Sequence, residues 1–144
     1  MPKSVLLDII TPEKLFYRGE IELVIARTLT GDEGFMASHI WACKLLATGE
    51  LWIQEAGKKD FRIAAVSGGF IDIKDKFTIF TDYAEWPEEI DVERAKRSGE
   101  RAKEWLKEHT RADRNEQEIL KARVDMSKAR TRIGVAGGGL RRKR

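Results

Sequence analysis

Residues 81–95, "TDYAEWPEEIDVERA", decide how the chain is divided. Before this stretch apolar residues alternate with polar ones; after it they recur every three or four positions. The change falls at Pro87, whose ring removes a backbone donor and interrupts a strand. Asp91 then supplies a carboxylate suited to cap the free N–H groups of a helix start. The segment "IDVERA" also has a second reading. Arg94 and Arg101 stand seven residues apart, two helical turns on one face, where cations could hold an anion.

Upstream, residues 5–83 contain "SVLLDII", "EIELVIART", "ELWIQEA", "FRIAAVS", "GFIDIKD" and "KFTIFTD". These runs are short, rich in β-branched and aromatic residues, and separated by turn chemistry. "AGKKD" and "IKDKF" read as tight hairpin turns, and "SGGF" as a bend where backbone passes close to backbone. Regularly spaced strands of this kind make a β-sandwich or barrel.

Downstream, the pattern predicts a helix from Asp91 to about His109, with Val92, Ala95, Ala102, Trp105 and Leu106 on or near one face. "TRADRNE" interrupts it. Asp113 and Glu116 match a capping box for a second helix that reaches about Val135, where "AGGG" stops it. Two helices joined by a short loop form an antiparallel hairpin. Its seam holds Ala95, Gly99, Ala102, Ala122, Ala129 and Ala136. Each leucine absent from such a seam forgoes about 1.5–3 kcal/mol of burial, and Gly99 costs about 1 kcal/mol against alanine. The hairpin is built to pack loosely. The expected fold is thus β + α, with an N-terminal β-sandwich over 1–86, a helical hairpin over 87–136 and a basic tail over 137–144.

Composition narrows the function. The 144 residues carry a net charge of +3, but the charge is uneven. Residues 1–120 hold 18 basic against 23 acidic side chains, and residues 121–144 hold nine against one. Such asymmetry marks an interaction arm. No run approaches the ~20 apolar residues of a spanning helix, and the start "MPKSVLLDII" lacks a signal-peptide core, so a soluble cytosolic chain is expected. The lone Cys43 forms no internal disulfide and is expected to be a small buried apolar residue. His39 and His109 are far apart, and no metal site is expected. "AGGG" follows a helix, where the dipole repels phosphate, and no Gly-x-Ser-x-Gly turn is present. Catalysis is not expected.

Two further segments keep alternative readings. "GDEGFMASH", residues 31–39, reads as a glycine-bracketed acidic loop, either a plain turn or a surface presenting Asp32, Glu33 and His39 to a partner. The basic end, "KARTR" and "LRRKR", reads either as a solvated terminus or as a binding surface, and as the latter suits an acidic protein better than nucleic acid, since no aromatic residue beyond Trp105 is available to stack on bases. As for "IDVERA", Arg94 could simply pair with nearby acids. Alternatively a returning helix brings Lys128 and Arg132 toward Arg94 and Arg101, and four converging cations repel unless an anion sits among them.

The ordered set "TPEKLFYRGEIE", "GDEGFMASH", "LATGELWI", "AVSGGFIDI", "DYAEWPEEIDVERA" and "KARTRIGVA" resembles the ε-subunit family of bacterial F-type ATP synthases from residue 6 to residue 136. The resemblance implies a β-sandwich of about ten strands and a two-helix hairpin. It implies a non-catalytic rotor subunit at the cytoplasmic face of the membrane, held there by its complex, that couples proton or sodium flow to ATP synthesis. Its implied partners are the γ subunit and c-ring through the sandwich, with Asp32, Glu33 and His39 as contacts. The α and β subunits follow through an extended basic arm of Lys121, Arg123, Lys128, Arg130 and Arg132 that inhibits hydrolysis. No cofactor is required, but ATP is implied as a regulator of the folded-down hairpin. Ile90, Asp91, Arg94 and Ala95 match the family's ATP motif, and Glu85, Arg101, Lys128 and Arg132 fall on its supporting positions. Lys128 stands where the family has arginine and lacks the planar fork that grips phosphate with two bonds. Ala37, Ser38, Ile40 and Trp41 depart from the family's Pro-Gly-His-Ala-Pro loop. A freestanding ATP-sensing module, or a nucleic-acid-binding protein using the tail, are the competing functions; no nucleic acid is the expectation.

Overall fold

A computed structural model describes residues 4–109 and 116–139. Nine strands precede the helices: β1 (Val5–Ile10), β2 (Leu15–Thr28), β3 (Gly31–Met36), β4 (Ala42–Leu46), β5 (Gly49–Glu55), β6 (Phe61–Val66), β7 (Gly69–Ile73), β8 (Phe77–Phe80) and β9 (Ala84–Glu85). The described residues thus hold nine strands where about ten were expected. β2 is 14 residues long and serves both layers. Its first half pairs with β1, which continues to β8, β7 and β4. Its second half pairs with β3 and β5, and β5 continues to β6 and β9. Side chains of alternate residues meet between the layers, where Leu7, Ile9, Ile21, Val24, Phe35, Leu51, Ile53, Ile71, Ile73 and Ile79 are fully buried.

The turns follow their sequences. Gly57 takes φ +78 in the β5–β6 hairpin, and Lys74 N–H donates to the Lys76 carbonyl across the β7–β8 turn. At "SGGF", Gly68 and Gly69 adopt φ +102 and +127. A Cβ on Gly69 would collide with the Phe80 carbonyl, so glycine is required by both torsion and space.

Two local expectations are corrected. Residues 31–36 form a strand, not a loop, because their backbone pairs residue by residue with residues 23–28 of β2 and buries Phe35. Cys43 is exposed rather than buried. It lies opposite Asp72 of β7 on the outer face of its sheet, while the adjacent Ile71 and Ile73 point into the core.

On that same outer face Asp8 is 1% exposed. It accepts from Arg18 Nε at 2.7 Å, Arg18 Nη2 at 3.0 Å and Lys76 Nζ at 3.1 Å. The pairing ties β1 to the neighbouring β2 and to the start of β8, and the Arg18 hydrogen bonds hold the Asp8 carboxyl below its ordinary pKa.

After a short turn of 3₁₀ helix at Pro87–Glu89 come α1 (Val92–Glu108) and α2 (Glu116–Ala136). Asp91 caps α1 as expected, its Oδ1 accepting from Arg94 N–H at 3.0 Å. Asp113, the expected cap of α2, lies outside the described residues, as does "LRRKR". The seam holds Ala95, Ala102, Ala122 and Ala129, all buried. A Cβ on Gly99 would stand 3.0 Å from that of Ala129, so the glycine sets how closely the helices approach.

Asp8→Asn is expected to cost about 1.5–3 kcal/mol in urea unfolding at pH 7, the usual worth of hydrogen bonds to a charged group. Because the folded-state pKa is depressed, the wild-type advantage is present above the ordinary carboxylate pKa and disappears as pH falls through the lowered value. Unfolding curves that keep the same difference at pH 2 and pH 7 would exclude this account.

Candidate functional site

The hairpin docks on the outer face of the β5–β6 layer. Ala65 has only a methyl there, and Val135 near the end of α2 fills the hollow with Ile90, fully excluded from solvent. Ile63, Val92 and Ala136 pack around them. Beyond the helix the chain closes with Gly138 N–H to the Val135 carbonyl at 3.1 Å and Gly139 N–H to the Gly134 carbonyl at 2.7 Å. Gly138 and Gly139 both have positive φ. A Cβ on Gly139 would lie 2.7 Å from Trp52 and 3.0 Å from Ile63, so the backbone itself presses on the sheet.

On the same face, β9 meets the last third of α2. Arg132 Nε donates to Glu85 Oε1 at 2.6 Å. The Arg132 guanidinium lies 4.4 Å from the centre of the Tyr83 ring, and Lys128 Nζ lies 5.6 Å from it. Tyr83 is fixed by its own backbone: its N–H donates to Ser67 Oγ at 3.1 Å, and its carbonyl accepts from Ser67 N–H and Thr81 Oγ1. Its hydroxyl is buried and has no hydrogen-bond partner among the described residues. Burial raises the phenol pKa, so the ring stays neutral.

The residues of the "IDVERA" reading are therefore only partly gathered. Glu85, Lys128 and Arg132 converge around Tyr83. Ile90 belongs to the buried foot, Asp91 to the helix cap and Ala95 to the seam. Arg94 and Arg101 are exposed, and among the described residues neither makes a side-chain hydrogen bond. Arg101 borders a groove of about 350 Å³ between the helices with Ser98, Trp105, Lys121 and Asp125. The feared repulsion among four cations is relieved without an added anion: a carboxylate and an aromatic face take up two of them, and the other two stay in water.

Asp32 pairs with Arg27 at 3.2 Å and Glu33 with Lys44 at 2.6 Å, both within the sandwich. His39 Nδ1 lies 2.7 Å from the Ile40 carbonyl, and its ring leans on Phe35. Lys121, Arg123 and Arg130 of α2 are exposed, as an interaction arm requires, whereas Lys128 and Arg132 are half-buried at the docking face.

Sequence reasoning missed two features. One is Tyr83, just before β9, whose place two residues ahead of Glu85 puts both side chains on the same side of extended chain. The other is an apolar row on the sandwich face opposite the hairpin. Leu45, Phe70 and Phe80 are register partners across β4, β7 and β8, and remain 61%, 37% and 38% exposed. The two phenylalanine rings stack at 4.9 Å, and Phe80 continues the row to Ile10 and Leu15.

Comparison with known proteins covers both halves. Residues 4–87 match the family described as ATP synthase, delta/epsilon chain, beta-sandwich domain, and residues 88–137 match its long alpha-helix domain. The ATP synthase epsilon chain of Alkaliphilus oremlandii is 43% identical over 107 residues, 74% of this chain and 78% of that one. That of Caldanaerobacter subterraneus subsp. tengcongensis is 37% identical over 138 residues, 94% of this chain and 96% of that one. A chain from the cryo-EM structure of the Euglena gracilis mitochondrial ATP synthase (OSCP/F1/c-ring) has the same fold, with a TM-score of 0.76 at 22% identity over 91% of this chain and 80% of that one.

Gly139→Val is expected to loosen the docked hairpin by about 1–3 kcal/mol, the usual cost of overpacking. The check is amide exchange in α2, which should quicken while β1 and β5 stay protected; unchanged exchange would mean that the glycine contact holds nothing.

Proposed function

From the premise that this chain belongs to the ATP synthase delta/epsilon family, we propose that it serves as the non-catalytic epsilon subunit of the central stalk, coupling ion flow through the c-ring to ATP synthesis. The observation that carries the reading is the apolar row of Leu45, Phe70 and Phe80. The sandwich has two outer faces. The hairpin covers one, and the other offers a contiguous apolar strip of the kind that marks a protein contact. We assign that strip to the γ subunit. The foot of the sandwich, where Met36, Ile40 and Trp41 are exposed beside His39, then faces the c-ring. With Asp32 and Glu33 already paired to Arg27 and Lys44 at the sandwich surface, His39 and these apolar side chains are the more available contacts.

The hairpin is the regulatory part in this reading. It rests on the sandwich through a small foot and, among the described residues, one ion pair, over a seam of alanines, and so detaches at modest cost. Extended, α2 presents Lys121, Arg123 and Arg130 together with the Lys128 and Arg132 that detachment frees, a basic arm for acidic surfaces of the catalytic α and β subunits. ATP is the proposed effector of the docked state: its phosphates would bridge Arg94 and Arg101 to Arg132 and Lys128. Lys128 in place of arginine argues for a weak grip. The subunit reaches the cytoplasmic side of the membrane only through its complex; among the described residues no helix is long and apolar enough to cross a bilayer.

Phe70→Glu with Leu45→Glu is expected to weaken co-assembly with the cognate γ subunit at least tenfold, about 1.4 kcal/mol, and undiminished co-assembly would sink the assignment of this face. Titrating ATP into the full chain, with Trp fluorescence as the signal, is expected to saturate at or below millimolar concentration and to fail in Arg94→Ala and Arg132→Ala. If both variants titrate like the wild type, ATP is not the effector.

A further inference from the structure

Tyr83 is unexplained by anything above. It is an aromatic residue with a rigid backbone, its ring beneath two cations of α2 and its hydroxyl buried without a partner among the described residues. A buried phenol is ordinarily kept for its hydrogen bond, and an unpaired hydroxyl costs stability. What remains to be used at this position is the ring face. Its π electrons attract a guanidinium or ammonium, most strongly where water is excluded. We propose that Tyr83 and Glu85 form a nucleotide-independent clasp, holding Arg132 and Lys128 and keeping the hairpin docked before any anion binds. This deepens the regulatory reading of the hairpin and rests on it.

Three observations support the clasp together. First, the platform is preorganised: Ser67 and Thr81 fix the Tyr83 backbone from two sides, and Glu85 is held in the ladder with Ala65. Little entropy is lost there when α2 arrives. Second, the two recognition elements act on one side chain. Glu85 takes the Arg132 edge at Nε and Tyr83 takes its face, an edge and a face that a planar guanidinium can use at once. Third, the clasp sits one turn from the Val135 plug on the same helix, so both release together when α2 leaves. The consequence for regulation is a competition for charge: Glu85 takes only Nε, so a phosphate on the remaining Nη donors of Arg132 must sit beside the carboxylate's negative charge. The docked hairpin is then the resting state of the subunit, and nucleotide adjusts a latch that is already shut.

The test uses the full chain without nucleotide or partner, followed by amide hydrogen exchange of α2 with β1 and β5 as folding controls. Tyr83→Leu and Glu85→Gln are each expected to speed exchange in α2 at least tenfold. Tyr83→Phe, which keeps the ring and deletes only the orphan hydroxyl, is expected to stay within twofold of wild type or to slow exchange. The proposal is overturned if Glu85→Gln leaves α2 unchanged, or if Tyr83→Phe opens α2 as widely as Tyr83→Leu. Should Tyr83→Leu also expose β1 and β5, Glu85→Gln and Tyr83→Phe decide the matter by the same criteria. Because no ATP and no γ subunit are present, a failure of either to bind leaves this result standing, and the two readings fail separately.

Discussion

A seam of alanine and glycine governs the C-terminal half. Side chains this small let the helices approach until Gly99 and Ala129 nearly touch, but they bury little apolar surface. A pair of helices held that way gains little stability from its own seam. Its order is borrowed from the sandwich, through Val135 in the hollow over Ala65 and through Arg132 on β9. Pairing of the helices and docking of the hairpin are therefore linked, and loss of the docking contacts weakens the pairing as well. A leucine seam would have separated the two events and made a rigid bundle that no small free-energy change could redirect.

Electrostatics around the dock follow the same economy. A cluster of arginines and lysines needs negative charge or polarisable surface nearby, and the chain provides both internally for the two cations on α2. The two on α1 remain hydrated, where like charges screened by water and salt repel weakly. Uncompensated cations facing solvent beside a compensated pair make a gradient along the hairpin: saturated near β9 and open toward the groove beside Trp105.

Much of this was legible in the sequence. The alternation of residues 5–83 and its replacement after Pro87 located the sandwich and the hairpin, because period 2 and period 3.6 demand different backbones. Asp91 was readable as a cap since few side chains can satisfy a helix start. Residues 31–36 were misread because Gly31 and Gly34 bracketing two acids suggest a turn; Phe35 at an inward position was the contrary signal. Cys43 was misjudged on residue type, where its parity with the exposed Trp41 and Leu45 would have placed it outside. The Arg132–Glu85 pair joins residues 47 apart. No local pattern encodes such a contact, and only the family resemblance suggested that the two positions belong together. Tyr83 escaped both routes, since an aromatic residue at a strand end reads as ordinary core.

The length of β2 bears on mechanics. Two stacked sheets joined only by loops can slide over one another when pulled in opposite directions. Here one continuous strand is hydrogen-bonded into both layers, so sliding would have to break its ladders in each at once. A force entering through the Leu45–Phe70 face reaches the β5–β6 face along covalent backbone rather than across greasy side-chain contacts. The sandwich behaves as a stiff block under shear, and the compliance of the subunit is concentrated in the hairpin.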